Sequence, residues 1–222
     1  MLKIPEGVEP VHAATVGVAG ITAYQSIVPH VKKGESIFIN GGSGGTGVFG
    51  IQIAKAVGCH VTTSCSTANV ELCKSLGAEE VVDYKKGNVV EALKKNGVKF
   101  DHIVDNVGTD PDLYWRCHEF TKPGALYVMV GGAPTWSGLS NGLKRKLIPG
   151  IFGGGKRKFT GFFPSPKIED LEQVGVWMKE GKVRAVIDSK FKFEEAPKAF
   201  ERLKTGRTRG KIVVEVASEA HN

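Results

Sequence analysis

The feature that most constrains the fold of this chain is a glycine-rich turn between an apolar strand-like run and an apolar helical pattern. The stretch SIFINGGSGGTGVFGIQIAKAVG, residues 36–58, contains Gly-x-Gly-x-x-Gly at residues 42–47. In this strand-turn-helix setting the motif binds the pyrophosphate of a dinucleotide at a helix N-terminus. Because 29 glycines generate such spacings by chance, the prediction of a dinucleotide site depends on that setting.

Each part of the turn has a physical role in the predicted site. Gly42 permits the tight turn, Gly44 lets the main chain approach a pyrophosphate closely, and Gly47 lets the helix pack against the strand. Gly45, Thr46 and their neighbours then present N–H groups to the phosphates at the positive end of the helix dipole. A glycine-rich turn that binds no ligand is the alternative that the sequence leaves open.

The residues that follow the glycine loop and the second predicted strand narrow the class of nucleotide. Val48 and Phe49 stand where a P-loop needs Lys followed by Ser or Thr, which excludes a Walker-type NTPase. The second strand ends in TTSCSTAN, with no Asp or Glu to bind the ribose 2′-hydroxyl of NAD. Four side chains there can donate hydrogen bonds to a 2′-phosphate instead: Ser64, Ser66, Thr67 and Asn69. NADP is therefore favoured over NAD, and a helix-capping role of Ser66 or Thr67 is compatible with binding.

Two other nucleotide-binding classes are disfavoured by residues that the chain lacks. A short-chain dehydrogenase needs Tyr-x-x-x-Lys, which does not occur in this sequence. A methyltransferase needs an acidic residue after the second strand. The sequence therefore favours a different family of dinucleotide-binding proteins.

Beyond the glycine loop, short β-branched runs alternate with amphipathic segments of helical length. This alternation is typical of βαβ units, and it predicts an α/β fold with a doubly wound parallel sheet of the Rossmann type. The predicted strands are residues 36–40, 60–64, 80–83, 102–105 and 125–130. The predicted helices are residues 45–57, 68–76, 88–95 and 110–120, preceded by a helix and connection over 10–30.

After residue 130 the alternation stops in a Gly- and Lys-rich segment, residues 131–155. Much of the net charge of +7 is concentrated in this region, on Lys144, Arg145, Lys146, Lys156, Arg157 and Lys158. A solvated loop, attraction of an anionic ligand, and peripheral contact of residues 144–158 with an acidic membrane each explain the patch. Nucleic acid is disfavoured because no aromatic side chains interleave with the charges.

Regular structure is predicted to return after that segment. The stretch SPKIEDLEQVGVWMKEGKV places Ile168, Leu171, Val174 and Met178 on one helical face, and core packing explains this stripe. A last helix over 194–204 and a last strand over 211–216 follow.

Cysteine usage and hydropathy bear on the compartment. Four cysteines, Cys59, Cys65, Cys73 and Cys117, show no C-x-x-C pair and no His at ligand spacing, which predicts reduced thiols and no metal site. No apolar run approaches the roughly 20 residues that span a bilayer, and the N-terminus does not resemble a signal peptide. A cytoplasmic protein is expected, with mitochondrial or peripheral membrane locations left open.

Several segments, in order along the chain, resemble the medium-chain dehydrogenase/reductase superfamily, and within it the zinc-free quinone oxidoreductase and enoyl reductase branch. They are AATVGVAGITAY, VKKGESIFINGGSGGTGVFGIQIAKAVG, CSTANVELCKSLGAEEVVDY, FDHIVDNVG, the VGG at residues 130–132, and GRTRGKIVV. The resemblance covers nearly the whole chain, and its specificity comes from the segments taken together.

The resemblance implies an entry segment over residues 1–19, a Rossmann domain over 20–162 and a C-terminal part over 163–222. It places Thr22 near the nicotinamide end of the cofactor and Gly131 beside the nicotinamide. Residues 43–47, which are Ser43, Gly44, Gly45, Thr46 and Gly47, would contact the pyrophosphate. Ser66, Asn69 and Tyr84 would surround the adenosine 2′-phosphate, and Lys211 is a further candidate. Many relatives carry Lys where this chain has Asn69. Because an uncharged amide should bind the 2′-phosphate less strongly than Lys, NAD remains an alternative to NADP.

The resemblance also implies a function and a missing part. Relatives carry an N-terminal catalytic domain before the segment LKIPEGVEP, and the C-terminal part normally packs on it, so Phe191 and Phe193 are expected to be exposed or to mediate association such as a homodimer. The expected function is hydride transfer from NADPH to a small-molecule acceptor, a quinone or an activated C=C or carbonyl group, without zinc. The alternative is a non-catalytic NADPH-binding module or subunit. No catalytic acid is identified by the sequence.

Overall fold

The computed structural model describes residues 3–131 and 155–216, which contain two parallel sheets. The larger sheet has six strands: β1 Ser36–Asn40, β2 His60–Cys65, β3 Glu80–Asp83, β4 Phe100–Asp105, β5 Thr121–Met129 and β6 Lys158–Gly161. The smaller sheet pairs β7 Ile187–Lys192 with β8 Lys211–Glu215. The six strands are ordered β3-β2-β1-β4-β5-β6 and are all parallel. This is the order of a doubly wound dinucleotide-binding sheet, so the predicted fold class is confirmed.

Helices connect the strands and cover both faces of the larger sheet. In the described ranges the α-helices are α1 Pro10–Ala13, α2 Gly17–Ile27, α3 Gly47–Val57, α4 Val70–Ser75, α5 Val89–Asn96, α6 Pro111–Trp115, α7 Ile168–Lys179 and α8 Ala196–Lys204. Short 3₁₀ turns lie at Val28–His30, Thr67–Asn69, Cys117–Glu119 and Phe193–Glu195. The turn at Val28–His30 extends α2. The turn at Thr67–Asn69 precedes α4, so the predicted helix over 68–76 is irregular at its start.

The central strand β1 shows why the sheet is covered on both faces. Successive side chains of a strand point to opposite faces. Ile37 and Ile39 therefore pack in one cluster with α2 and α3, while Phe38 packs in the other with α5 and α6. All three are fully buried. Each such side chain contributes roughly 1.5–3 kcal/mol by its removal from water, so the middle of the sheet is the most strongly stabilised part of the fold.

The sequence analysis does not predict β6 or β7. β6 has four residues, KFTG, at the edge of the sheet, and β7 reads IDSKFK with its side chains half-buried or exposed. Neither strand carries an apolar run or a clean alternation, so the sequence pattern does not reveal them. Each strand is defined by its pairing with a neighbouring strand.

The predicted apolar stripe on α7 is wrong at one position, since Ile168 is 55% exposed while Val174 is fully buried.

All four cysteines lie in the described residues as free, buried thiols. Burial raises the pKa of Cys59 to about 11 and that of Cys117 to about 12. These thiols are therefore protonated and packed, as the sequence predicts. Among the residues that the structure describes, no helix combines the length and apolar character needed to cross a bilayer.

A buried histidine in β4 should make the stability of the fold depend on pH. His102 is fully buried, its Nε2 lies 2.7 Å from the carbonyl oxygen of Ser26, and its ring centroid is 5.5 Å from that of His30. Burial lowers the pKa of His102 to about 4. The unfolded chain binds a proton there near pH 6.5, so this group favours unfolding increasingly as the pH falls from 6.5 to 4, by about 3 kcal/mol in total.

We expect His102→Gln to remove most of that pH dependence. The free energy of unfolding, measured by urea denaturation at pH 7.0 and pH 4.5, should fall by about 2 kcal/mol less in the variant than in the wild type. His60→Gln is the matched control, because the His60 side chain is exposed and pairs with Glu79 at the surface. An equal loss on acidification in His102→Gln and wild type would contradict the assignment.

Candidate functional site

The glycine loop follows β1 and opens α3, and three of its glycines are required for different reasons. Gly41 has a φ of 80°, in the left-handed region, so the tight turn predicted at Gly42 is formed at Gly41 instead. A Cβ on Gly42 would collide with the hydroxyl of Thr63 in β2. A Cβ on Gly47 would collide with the carbonyl oxygen of Gly41 and lie 2.7 Å from the Cα of Gly42. The predicted close packing of Gly47 is therefore confirmed.

The N-terminus of α3 presents main-chain donors that no acceptor in residues 3–131 and 155–216 satisfies. In the described residues, the N–H groups of Gly45, Thr46 and Gly47 donate to no acceptor. Thr46 precedes the helix without a side-chain cap hydrogen bond. Three adjacent donors at the positive end of an eleven-residue helix are an arrangement that binds phosphate oxygens.

These donors face a cavity of about 990 Å³ at the carboxyl edge of the sheet. Eight of the predicted site residues line it: Ser43, Gly44, Gly45, Thr46, Gly47, Ser66, Asn69 and Tyr84. The apolar residues Val89, Val107 and Leu113 also line the cavity. The volume and the mixture of hydrogen-bond donors with apolar side chains suit a nucleotide.

Three predicted site residues lie outside the cavity lining. Thr22 is buried inside α2, with 4% of its surface exposed. Gly131 follows β5, and a Cβ there would collide with the carbonyl oxygen of Asn106. The glycine therefore permits these two backbone segments to approach closely. Lys211 borders the glycine loop, because a Cβ on Gly45 would lie 3.7 Å from the Lys211 Nζ. Burial lowers the pKa of the Lys211 ammonium.

A chain of buried polar side chains holds the glycine loop against the neighbouring strands. The Ser64 hydroxyl oxygen accepts from the Gly41 N–H at 3.0 Å, and the Ser64 hydroxyl donates to the Asn40 amide oxygen. Asn40 Nδ2 donates to Asp105 Oδ1 at 2.8 Å, and the Tyr127 hydroxyl donates to Asp105 Oδ2 at 2.6 Å. The Ser64 hydroxyl is therefore engaged inside the protein, so it does not serve as a 2′-phosphate donor.

Asp105 is a structural residue of the site that the sequence analysis did not single out. Besides Asn40 and Tyr127, it accepts hydrogen bonds from the N–H groups of Val107 and Gly108 at 3.0 and 2.9 Å. These four donors satisfy a carboxylate that is only 1% exposed and fix the loop that borders the cavity after β4. A carboxylate at the last position of a buried strand, in HIVDNVG, was the available signal.

At the end of β2, the predicted 2′-phosphate donors differ in whether they already hydrogen-bond to a carboxylate of the protein. The Thr67 hydroxyl donates to Asp83 Oδ2 at 2.7 Å. Ser66 makes no side-chain cap hydrogen bond to the following turn, so the helix-capping interpretation of Ser66 is wrong. Asn69 Nδ2 lies 3.0 Å from Ser43 Oγ and 3.2 Å from Ser66 Oγ. Ser66 and Asn69 thus face the cavity, whereas Thr67 does not.

The connection between α8 and β8 brings cationic side chains to the cavity that the sequence analysis did not assign. Gly206, Arg207, Thr208 and Arg209 all line the cavity. The Gly210 N–H donates to the Ser43 carbonyl oxygen at 3.0 Å and so ties this connection to the glycine loop. The guanidinium groups of Arg207 and Arg209 have no acidic partner among the described residues. With Lys85, they give the lining three cations against the single carboxylate of Asp110.

The match to a protein-family model then assigns the family. Residues 76–214 match the model of the zinc-binding dehydrogenases. The chain is also 52% identical, over 221 residues, to the trans-enoyl reductase pgmF of Aspergillus terreus. This chain is a zinc-binding dehydrogenase family member. It belongs to the quinone oxidoreductase and enoyl reductase branch of the medium-chain dehydrogenase/reductase superfamily, as its sequence motifs suggest.

Other relatives of this family member agree in fold and in coverage. The chain is 34% identical over 234 residues to the mitochondrial NAD(P)H oxidoreductase RTN4IP1 of Danio rerio. It superposes on the quinone oxidoreductase from Coxiella burnetii with a TM-score of 0.82 at 29% identity. These matches cover 97% of this chain but 62% of pgmF, 59% of RTN4IP1 and 64% of the Coxiella structure. The chain thus spans about three fifths of the length of the relatives it matches.

The family takes its name from zinc, which proteins bind through His, Cys, Asp and Glu side chains. Across residues 3–131 and 155–216 there is no group of three His, Cys, Asp or Glu side chains placed to hold a metal ion.

The basic segment at residues 144–158 is only partly described, because residues 144–154 lie outside the described residues. Arg157 is engaged within the protein, because its Nε donates to the Thr121 hydroxyl oxygen at 2.9 Å and its Nη2 to the Thr121 carbonyl oxygen at 3.0 Å.

Proposed function

We propose that this family member binds NADPH in the cavity beside the glycine loop, as the nucleotide-binding portion of an oxidoreductase. The observation that carries the proposal is the row of three unsatisfied N–H groups at the start of α3, which opens into a cavity of about 990 Å³. The pyrophosphate would accept from these donors, and Lys211 would place a positive charge beside it. The adenine would lie next to Tyr84.

NADP is favoured over NAD by the charges around the cavity. The end of β2 carries no carboxylate to pair with a ribose 2′-hydroxyl or to repel a 2′-phosphate. The guanidinium groups of Arg207 and Arg209, which have no acidic partner among the described residues, belong to the lining of the same cavity and would attract that phosphate. Ser66, Asn69 and Tyr84 would surround it. Thr22 and Gly131 remain proposed neighbours of the nicotinamide.

The proposed reaction is hydride transfer from NADPH to a quinone or to an activated C=C or carbonyl acceptor, without zinc. When bound, the nicotinamide supplies the hydride. The chain contributes the N–H groups that orient the cofactor and the cations that offset its phosphates. Relatives named as trans-enoyl reductase and quinone oxidoreductase support this acceptor class.

The alternative, an NADPH-binding module without turnover, is favoured by the exposed apolar side chains of the C-terminal part. Phe193, Phe200 and Leu203 are 58%, 62% and 55% exposed. Large apolar side chains with this exposure are typical of a surface that another structural unit covers. A substrate pocket formed jointly with that unit would be incomplete in this chain.

Steady-state kinetics separates the two functions. Oxidation of NADPH is followed by absorbance at 340 nm with a benzoquinone and, separately, with an enone as acceptor. Saturable, acceptor-dependent oxidation by the purified chain supports the enzyme. Binding of NADPH without acceptor-dependent oxidation supports the module. Failure to bind NADPH overturns both.

A further inference from the structure

The side chain of Asn69 lies between two serine hydroxyls in the lining of the cavity. Its Nδ2 donates to Ser43 Oγ at 3.0 Å and to Ser66 Oγ at 3.2 Å. Ser43 belongs to the glycine loop and Ser66 follows β2, so the amide bridges two separate segments of the chain. All three residues line the cavity.

The two hydroxyls are left with their protons to donate. A serine oxygen that accepts a hydrogen bond from an amide still carries one O–H donor. Among the described residues neither the Ser43 nor the Ser66 hydroxyl donates to a protein acceptor, and Ser66 does not cap the following turn. By contrast, the neighbouring Thr67 hydroxyl is used by Asp83. Two O–H donors therefore remain for a ligand with acceptor oxygens.

The Asn69 side chain has no remaining donor with which to bind an anion directly. Its amide nitrogen is occupied by the two serines, and its Oδ1 is buried and has no hydrogen-bond partner in the described part of the chain. A carbonyl oxygen is an acceptor, so it does not bind phosphate. An unsatisfied buried acceptor also costs stability, which indicates that this orientation is not explained by folding alone.

We propose that Asn69 is a positioning residue that orients the Ser43 and Ser66 hydroxyl protons into the cavity, where they donate to the 2′-phosphate of NADPH. This inference rests on the proposed function. It revises the direct phosphate contact that the sequence predicts for Asn69, and it assigns the Ser43 hydroxyl to the 2′-phosphate and not to the pyrophosphate. The site recognises phosphate by neutral donors on this side, and its positive charge comes from Lys85, Arg207 and Arg209. Asn69 therefore determines specificity through its neighbours.

A comparison of variants with and without the serines separates positioning from direct contact. Dissociation constants for NADPH and NADH are measured by fluorescence titration of the purified full chain, and the NADPH preference is their ratio. Asn69→Ala is made in the wild type and in the Ser43→Ala/Ser66→Ala background. Titrations with 2′,5′-ADP and 5′-AMP repeat the comparison on the adenosine end alone. Thr67→Ala is the matched control, because it removes an adjacent hydroxyl that is committed to Asp83.

We expect Asn69→Ala in the wild type to lower the NADPH preference about tenfold, the effect of one charge-assisted hydrogen bond. In the serine-free background the same substitution should change the preference less than twofold, and Thr67→Ala should leave it unchanged. A merely structural role would lower the thermal midpoint without changing the ratio of 2′,5′-ADP to 5′-AMP affinity.

Three outcomes overturn the inference. A further tenfold loss in the serine-free background would show direct contact between Asn69 and the phosphate. An unchanged preference in Asn69→Ala would show no role in specificity. If the wild-type chain binds neither NADPH nor NADH, the proposed function fails as well, and that result is distinct from the first two, in which wild-type binding is normal.

Discussion

Gly47→Ala is expected to abolish nucleotide binding, weakening NADPH and NADH alike by at least about 100-fold. The added methyl group would meet the Gly41 carbonyl oxygen and the Gly42 main chain, neither of which is the movable end of a side chain. The loop must therefore shift, and the N–H groups of Gly45 and Thr46 shift with it. Fluorescence titration with both cofactors measures the loss, and urea denaturation should show destabilisation of roughly 1–3 kcal/mol.

Gly50→Ala is the control for Gly47→Ala, because it adds the same methyl group to the same helix. A Cβ on Gly50 would lie 3.5 Å from the nearest atoms of Ile27 and Ile39, which is ordinary packing. The control should keep wild-type affinity and gain stability, by up to about 1 kcal/mol. Normal NADPH affinity in Gly47→Ala would disprove the role of the glycine loop.

The double variant Arg207→Glu/Arg209→Glu is expected to lose NADPH affinity by about 100-fold and NADH affinity by about tenfold or less. Both guanidinium groups line the cavity without an acidic partner in the described residues, so their reversal puts two negative charges where the phosphates bind. The larger effect on NADPH follows from its additional 2′-phosphate. Raising the salt concentration should weaken NADPH binding to the wild type more than binding to the variant.

Lys33→Glu/Lys95→Glu changes the net charge by the same amount at exposed positions that precede β1 and β4, at the opposite edge of the sheet from the cavity. It should leave both dissociation constants within about twofold of wild type, since exposed charges beyond a Debye length are largely screened. Equal losses in the two double variants would mean that net charge, and not the placement of Arg207 and Arg209, governs affinity.

The sequence predicted the glycine loop because that signal is local. β1, the turn and α3 are contiguous, so the motif, the strand before it and the helix after it are read in one stretch. Even there, the positive φ is at Gly41 and not at Gly42. The close approach of Thr63 to Gly42 is a contact between strands, and a sequence pattern does not report it.

The cationic side of the cavity could not be predicted in the same way. Arg207 and Arg209 reach the glycine loop only because β8 pairs with β7 and the Gly210 N–H binds the Ser43 carbonyl oxygen. β7 itself has a mixed sequence of charged and apolar residues, so its position is set by that pairing. Likewise, the division between Ser66, which is unengaged, and Thr67, which binds Asp83, depends on a partner 16 residues away in sequence.

The most direct measurement is a crystal structure of the chain grown with NADPH. We expect the pyrophosphate oxygens to lie within hydrogen-bonding distance of the N–H groups of Gly45, Thr46 or Gly47. The 2′-phosphate should lie between Ser66 and Arg207 or Arg209. An ordered nucleotide at any other place, or a pyrophosphate that does not contact the start of α3, would contradict the central claim.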